Sequence, residues 1–471
     1  MANLKEILKK NTLVYNTLTL AGQLAAEQDL ELYVVGGVVR DILINRPLKE
    51  IDLMVVGDGI EFARLLAKKL GVRKIVPFST FGTAQIPYKQ IPVEVASART
   101  ESYQPDSRKP AQIKYTDLEG DLIRRDFTIN AMAIDLWPER FGTLHDPFSG
   151  VQDLEQRLLI TPLDPDETFA EDPLRMLRAA YFAANLGCVI TDECLEAMKR
   201  QAERIKIVSW ERVTAEIIKI LRAPQPSVGF IILQNAGLLE YVFPEIAVMY
   251  GMQQPSEWHH KDVFHHTLQV VDNAAELSAK MELRFAALVH DIAKPVTRRI
   301  DPVNGVSFHG HDEIGGRMLY KIARRMKLSN EMRDYLQKMT RLHLRPIALA
   351  KQGITDSAIR RLMLAAGEDI DDLLTLCRAD ITTKNPNLVK RYMGNFARVE
   401  LLMKDVVARD AMRAFQSPVR GDEIMEICGL KEGQLVGQLK LAIEEAILAG
   451  EIDNTYEAAR EYLDRIKSDY L

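Results

Sequence analysis

Leu32-Tyr33-Val34-Val35-Gly36-Gly37-Val38-Val39-Arg40-Asp41, followed by Glu50-Ile51-Asp52-Leu53-Met54-Val55-Val56, is the stretch that decides the fold. Leu32–Val35 is a short apolar run closed by a glycine pair, and residues 51–56 are a second, bounded by Gly57 and Gly59. Such runs read as strands. Working outward, residues 91–95, entered through Pro92, and residues 131–136 predict two more strands. Residues 60–70 carry apolar positions at helical spacing. Strands with interspersed helices make this part α/β or α+β. Past about residue 150 the β signals fade, and helical patterns follow at 173–186, 211–221 and 281–292. The expected fold class is α+β, a small mixed β-sheet head followed by a mostly α-helical body. Boundaries are expected near 150, 250 and 385.

Two places concentrate chemistry. In the first, Gly36-Gly37 between strand and helix lets the backbone approach a phosphate, although such a pair is as often a plain turn. Glu50 and Asp52 stand two apart, so on a strand both project to one side. That is unfavourable unless cations neutralise the pair. Mg²⁺ prefers oxygen ligands and joins carboxylates to substrate phosphates. Glu94, in Val93-Glu94-Val95, offers a third carboxylate from a neighbouring strand. A solvent-facing acidic strand is the bland alternative.

The second place is a crowd of imidazoles. Eight of the nine histidines fall between His259 and His343; only His145 lies outside. Nitrogen and carboxylate ligands crowded in this way suit divalent transition metals. His290-Asp291 closes an apolar helical run, with His266, His309, His311 and Asp380 as further candidates. The alternative is a degenerate, purely structural helical domain.

Composition narrows the class. With 471 residues, 47% hydrophobic and 27% charged, the chain is a globular protein of several domains. It has no apolar run long enough for a membrane helix and no evident secretory signal near Met1. The four cysteines form no CxxC pair, which fits free thiols in a reducing cytoplasm. The net charge of −5 argues against a general nucleic-acid binder. Basic clusters nevertheless occur at Arg124-Arg125, Arg298-Arg299, Arg324-Arg325-Met326-Lys327, Arg360-Arg361 and Lys390-Arg391. Each is either a phosphate contact or a solvated helix face.

The glycine pair, a spacer of about a dozen residues and the carboxylate pair together resemble the polymerase-β type of nucleotidyltransferase. Arg124-Arg125-Asp126-Phe127-Thr128-Ile129-Asn130, Glu171-Asp172-Pro173-Leu174-Arg175-Met176-Leu177-Arg178 and Glu211-Arg212-Val213-Thr214-Ala215-Glu216 follow in order. They are similar to successive motifs of the bacterial tRNA nucleotidyltransferase and poly(A) polymerase family. The resemblance covers residues 30–220. It implies Mg²⁺ on Glu50 and Asp52, with Glu94 as the third catalytic carboxylate. It also implies nucleotide binding by Gly36, Gly37, Arg40, Arg125, Asp126, Asn130, Asp172, Arg175 and Arg178. Arg125 offers a fork of donors to a triphosphate. Asp126 could bond a ribose or orient an arginine, and Asn130 could contact sugar or phosphate. Asp172 and Arg175, three apart on a helix, would share a face and read the base edge. Glu211, Arg212 and Glu216 are expected to brace, with Arg212 and Glu216 as helical neighbours. The polar segment 100–121 resembles a flexible loop used in switching from C to A addition.

Val289-His290-Asp291-Ile292-Ala293-Lys294-Pro295, Phe308-His309-Gly310-His311 and Arg341-Leu342-His343-Leu344-Arg345-Pro346 resemble the HD phosphohydrolase domain fused to that family. The resemblance implies a transition metal on His266, His290, Asp291 and Asp380. Its substrates would be phosphomonoesters or 2′,3′-cyclic phosphates. His309, His311 and His343 would form a second-metal or substrate shell; His259, His260 and His265 read as surface residues and His145 as structural. The tail from Gly421 to Ile452 resembles the part that grips tRNA. The expected organisation is a head over 1–150, a neck over 151–250, the HD domain over 251–385 and a tail over 386–471.

The function implied is addition of CCA to tRNA from CTP and ATP, in the cytoplasm and without a membrane partner. A poly(A) polymerase, or a relative adding only CC or only A, is the neighbouring alternative. An HD phosphohydrolase with a nucleotide-sensing N-terminal part is the alternative of another class. The family usually carries Asp-x-Asp, and here Glu50 takes the first place. Its extra methylene moves the carboxylate by roughly 1.5 Å. A working site with an altered rate or metal preference is expected; lower nucleotide incorporation in Glu50→Asp would show that the glutamate is adapted to it, and full activity in Glu50→Ala would exclude Glu50 as a metal ligand.

Overall fold

The computed structural model describes residues 3–79, 82–104, 107–253, 262–301, 305–351, 355–383, 385–414, 417–448 and 451–470. At 100–104, 107–114, 350–351, 410–414 and 448 it describes the backbone alone. His259 and His260 lie outside the described residues.

The head is built on β1 (Leu32–Val35), β2 (Ile51–Val55), β3 (Val76–Phe78), β4 (Thr83–Ile86), β5 (Val93–Ser97), β6 (Arg99–Gln104), β7 (Ser107–Tyr115), β8 (Ala133–Asp135) and β9 (Leu144–His145). Seven of them form one mixed sheet in the order β3-β4-β5-β2-β1-β8-β9. β2 and β5 are the parallel pair, with Ile51 opposite Val93, Asp52 opposite Glu94 and Leu53 opposite Val95. Alternation assigns the faces. Ile51, Leu53, Val93 and Val95 join the larger core, which the helices Thr12–Glu27 and Gly59–Lys69 cover. Tyr33, Val35 and Met54 face a smaller core on the other side. Asp52 and Glu94, out of phase with the larger core, therefore stand together on that second side.

The strands at 32–35 and 51–55 form where the sequence predicts them, while the expected strand at 91–95 is shifted to Val93–Ser97. The segment 100–121 is a correction: it is not a loop throughout. β6 and β7 pair antiparallel, with Arg99 opposite Tyr115 and Gln104 opposite Ser107, and the helix Leu118–Ile123 follows. Lys, Arg and Gln in the run hide a pattern whose order comes from backbone pairing rather than from an apolar face. A second antiparallel ladder, residues 299–301 with 305–307, was also missed in the helical part.

Beyond the head the chain is helical, and it divides into two compact units, 1–344 with 371–389 and 345–370 with 390–471. In the first, Arg284 is a buried tie. Its Nη1 donates to Leu221 O (3.0 Å) and Ala223 O (3.2 Å), Nη2 to Ala275 O (3.2 Å) and Nε to Ser278 O (3.1 Å). The C-terminal end of the helix Trp210–Arg222 is thereby joined to the end of the helix Val263–Leu277. The second unit has its own core of Val419, Ile424, Leu439, Ile443, Ala459 and Leu463. There Arg409 clamps Asp356 through both Nη atoms, at 2.6 and 3.0 Å. No described helix is long and apolar enough to cross a membrane.

Replacing Arg284 by Met leaves four carbonyls without their donor, and buried unpaired acceptors are expensive. The expected loss is on the order of 3 kcal/mol, read as a lower calorimetric melting temperature of the first unit; an unchanged melting profile would show that water replaces the guanidinium.

Candidate active sites

Gly36 caps the helix Gly37–Leu43 with φ +72°, a conformation that favours glycine. A Cβ here would stand 2.6 Å from Arg125 Nη1. The guanidinium thus lies against the turn, and the backbone conformation is what requires glycine. Asp121, buried and on the helix Leu118–Ile123, accepts from Arg125 Nη2 (2.7 Å) and also holds Arg124. Asp121 was not singled out in the sequence; its spacing of three and four from the two arginines on a helix was the available signal.

Asp52 and Glu94 face one another across β2 and β5. Glu50 lies just before β2, exposed, rather than in the strand as expected. Asp52 and Glu94 therefore share a face across two strands, and Glu50 acts on both from just before β2. Burial, then Glu50 and Glu94, push the Asp52 carboxyl up to about 7, against the opposing pull of Arg125 and Arg40. Burial and Glu50 raise Glu94 as well. Carboxylates that resist ionising side by side, with two arginines behind them, are a site short of positive charge. This donor set of oxygens suits Mg²⁺.

A second network holds the remaining head residues. Arg40 Nη1 donates to Asn130 Oδ1 (2.6 Å), and Asn130 Nδ2 donates to Asp126 Oδ1 (3.0 Å). Asp126 Oδ2 accepts from Arg178 Nε at 2.6 Å. Arg40 and Arg178 both lie over the Phe182 ring, at 5.3 and 5.2 Å. Burial opposes ionisation of Asp126, but Arg178 and Asn130 hold its carboxyl below the ordinary range. Of the two roles open to Asp126, this geometry realises the orienting of an arginine.

Asp172 and Arg175 do not share one helix. The helix Pro165–Glu171 stops at Asp172, which is extended (φ −131°, ψ 98°), and a new helix, Leu174–Leu186, carries Arg175. Pro173 is the reason, since it disfavours helical backbone in the residue before it. Asp172 Oδ1 accepts from Leu174 N (3.1 Å) and Oδ2 lies 3.3 Å from Arg212 Nη2. Arg212 thus braces toward Asp172, while the buried Glu216 pairs with Lys219 Nζ at 2.8 Å. Arg175 donates to Thr168 O, Glu171 Oε2 and Arg124 O.

The histidine–aspartate centre is assembled mostly at helix ends. His266 comes from the helix Val263–Leu277, whereas His290 and Asp291 follow Met281–Val289. His311 opens His311–Arg325, His343 follows Asn330–Leu342 and Asp380 follows Ile370–Ala379. His290, His311 and His343 each place Nδ1 2.7–2.8 Å from the carbonyl three residues back, of Ala287, Phe308 and Thr340. A carbonyl only accepts, so Nδ1 carries a proton and Nε2 is the nitrogen turned to the centre, open to a metal or a second proton. His266 Nδ1 is 3.0 Å from Thr382 Oγ1.

The Nε2 atoms meet two carboxylates. Asp380 Oδ1 is 3.0 Å from His266 and 3.7 Å from His290. Asp291 Oδ2 is 3.2 Å from His290, and its Oδ1 is 3.2 Å from His311 and 3.8 Å from His343. Two trios result: His266, His290 and Asp380, and Asp291, His311 and His343. Buried His290 Nε2 makes no hydrogen bond, for its 3.2 Å approach to Asp291 is not aligned for one. An orphaned imidazole nitrogen among converging ligands fits a transition metal. Burial lowers His343 to about 4, with His290 adding to the effect. Burial also disfavours charge on His290, yet Asp291 and Asp380 raise it to about 9.

The four expected ligands are thus brought together, and His311 and His343 join them. His309 does not: it is exposed. His265 pairs with Asp262 at 2.7 Å, and His145 packs edge-on against Tyr33, 3.6 Å from Asp135. Lys294, unassigned in the sequence, places Nζ 2.5 Å from Asp291 Oδ2.

Similarity to known proteins runs along most of the chain. Residues 32–160 match the Poly A polymerase head domain, 188–249 the probable RNA- and SrmB-binding site of polymerase A, and 263–385 the HD domain. The chain is 32% identical over 409 residues to the Multifunctional CCA protein of Vibrio vulnificus strain YJ016, covering 84% of this chain and 96% of the relative. It is 35% identical, with the same coverage, to the protein of that name from strain CMCP6. A tRNA nucleotidyltransferase crystallised with a primer tRNA and an incoming ATP analogue is 27% identical, with a TM-score of 0.58 over 81% of this chain and 99% of that one. The Thermotoga maritima CCA-adding enzyme complexed with tRNA, 19% identical, shares the fold with a TM-score of 0.60 over 99% of both chains. With a nucleotidyltransferase head, an HD domain and relatives matched along most of its length, this chain belongs to the bacterial tRNA nucleotidyltransferase and poly(A) polymerase family.

Proposed function

We propose that this chain adds CCA to the 3′ end of tRNA from CTP and ATP without a template, and that its HD centre is a metal-dependent phosphohydrolase. The observation that carries the first part is the Asp52–Glu94 pair beside the Gly36 turn and Arg125, in a chain matched over 84% of its length by multifunctional CCA proteins.

Glu50, Asp52 and Glu94 would hold Mg²⁺, which supplies charge neutralisation for the carboxylates and the triphosphate. Arg125 and Arg40, already fixed by Asp121 and Asn130, present donors to the phosphates without first being ordered. Arg178, held by Asp126, lies with Arg40 against the Phe182 ring. Asp172 and Arg175 read the base edge once Arg175 exchanges a present acceptor, Glu171 Oε2 or Arg124 O, for the base. The HD centre has ligands for two divalent ions, with Asp291 offering one oxygen to each trio. Its ions would lower the pKa of a bound water for attack on a phosphomonoester or 2′,3′-cyclic phosphate. The division into 1–150, 151–250, 251–385 and 386–471 is part of this proposal, supported by the spans of the family matches. The unpaired state of all four cysteines supports a reducing compartment, the cytoplasm.

Purified protein with Mg²⁺, CTP and ATP is expected to extend a tRNA transcript lacking CCA by that triplet and then stop. CC alone, or A alone on a CC end, would make it a partial-addition enzyme. Long A tails on an oligonucleotide would make it a poly(A) polymerase, and no extension would leave the HD centre as the main activity. Asp52→Asn is expected to lower extension by about a hundredfold or more.

The Asp52 carboxyl stands at about 7 in the fold, against about 3.9 in an unfolded chain. Between those values the folded state keeps a proton that the unfolded state has lost. Stability therefore falls as pH rises through this window, and the penalty is complete above about 7. A bound cation relieves it. Mg²⁺ is expected to raise the melting temperature more at about pH 8 than at about pH 5.5, with the difference absent in Asp52→Asn. For the HD centre, elemental analysis of protein purified in the presence of Mn²⁺ is expected to find two ions per chain. His311→Ala is expected to retain one; one ion in both proteins would reduce the centre to a single ion, and two in both would exclude His311 as a required ligand.

A further inference from the structure

The cations on the helix His311–Arg325 have no role in either centre. Arg317, Lys321 and Arg324 recur at spacings of four and three, and Lys327 follows in the turn; all are exposed. His311, Leu319 and Ile322 define the buried side of the helix. At about 100° per residue the cations project from the opposite side, so they are no wall of the metal centre.

Several exposed helical cations elsewhere in the chain pair with an acid three residues earlier. Lys9 with Glu6, Arg64 with Glu61, Lys199 with Glu196, Lys206 with Glu203 and Lys467 with Asp464 all do so. Here that habit stops. Three residues before Arg324 stands Lys321, and three before Lys327 stands Arg324. Glu313, which could serve Arg317, turns its carboxylate to Arg341 at 3.5 Å. Among the described residues none of Arg317, Lys321, Arg324 and Lys327 forms an ion pair. Like charges at helical neighbour spacing destabilise a helix. The dipole of the helix favours cations at its C-terminal end, which accounts for Arg324 and Lys327 but not for Arg317 and Lys321 further back.

The row ends in a hollow of about 430 Å³ lined by Tyr320, Arg324, Lys327, Asn330 and Arg333, with no acidic side chain in its wall. Arg333 lies 5.5 Å from the centre of the Tyr320 ring and pairs with the exposed Asp334. Tyr320 is 54% exposed. From Arg317 to Lys327 the row runs about 15 Å, the length of about four nucleotides along a helical strand. That is longer than the phosphates of one nucleotide. An exposed aromatic ring among the cations offers a base a stacking surface.

We propose that Arg317, Lys321, Arg324, Lys327 and Arg333, with Tyr320, form a second contact surface for the phosphate backbone of RNA. It lies on the HD domain outside both chemical centres, and it rests on the reading of this chain as a tRNA-processing enzyme. The surface holds tRNA without touching the reacting end, so it acts on affinity and not on the chemical step.

The test is tRNA binding by full-length protein over a series of salt concentrations, by fluorescence anisotropy. Arg324→Gln/Lys327→Gln and Arg317→Gln/Lys321→Gln are each expected to weaken binding by about tenfold and to reduce the slope of log affinity against log salt by about one to two. KM for tRNA should rise in the extension assay while kcat at saturating tRNA stays unchanged. Tyr320→Ala should weaken binding of a single-stranded oligonucleotide more than that of a duplex. Lys9→Gln/Arg64→Gln, which removes two paired cations, is the control and should bind as the parent does. These side chains are exposed, so melting temperatures should not fall, which establishes that the variants fold. Parent-like affinity and slope in both double variants would overturn the proposal while leaving the proposed function standing. A lowered kcat with unchanged affinity would also overturn it. Failure of the parent protein itself to bind tRNA would overturn both.

Discussion

Lone pairs brought together out of water, so that a proton or a cation must stand between them, are the constraint on which both chemical centres depend. In the head, parallel pairing sets Asp52 beside Glu94, and burial makes their joint ionisation unfavourable. In the HD centre, imidazole nitrogens and two carboxylates converge until His290 Nε2 has no hydrogen-bond partner. Each arrangement is costly without a metal and favourable with one. The surrounding fold keeps these groups from turning away to satisfy themselves.

The two centres restrain their ligands differently. The head uses the sheet: β2 and β5 lie inside a seven-stranded sheet, so a slip in register would move Asp52 to the larger core. The HD centre uses helix ends, where carbonyls lack intrahelical partners. His290 and His343 take such carbonyls, of Ala287 and Thr340, through Nδ1, and His311 takes that of Phe308 ahead of its own helix, so that each contact fixes ring orientation and the proton on Nδ1. Behind the head carboxylates, buried Asp121 and Asp126 hold Arg125 and Arg178 in place before any nucleotide arrives. Those acids balance the arginine charges and spare the site an ordering step.

Local signals were legible in proportion to their locality. Apolar runs closed by glycine marked β1 and β2, and the crowd of histidines marked the HD domain. Asp121 escaped notice because its importance is a matter of burial, which spacing alone does not reveal. The Asp172–Arg175 pair was placed on one helix because the helical pattern on either side of Pro173 is good; the proline's effect on Asp172 outweighed it. The hairpin of β6 and β7 lacked apolar alternation and was read as a loop.

By itself the sequence determined the fold class, the motifs in their order and the residue types able to bind phosphate or metal, because these follow from composition, periodicity and spacing along the chain. Only the tertiary structure decided which of them meet. His311 and His343, separated by 32 positions, bring their Nε2 atoms within 3.4 Å of each other, whereas His309, two residues from His311, stays outside. Asp52 meets Glu94 through the pairing of β2 with β5, and not through any feature of either segment alone. Convergence of distant side chains is set by packing and register, which bring together residues that have no neighbourhood in the chain.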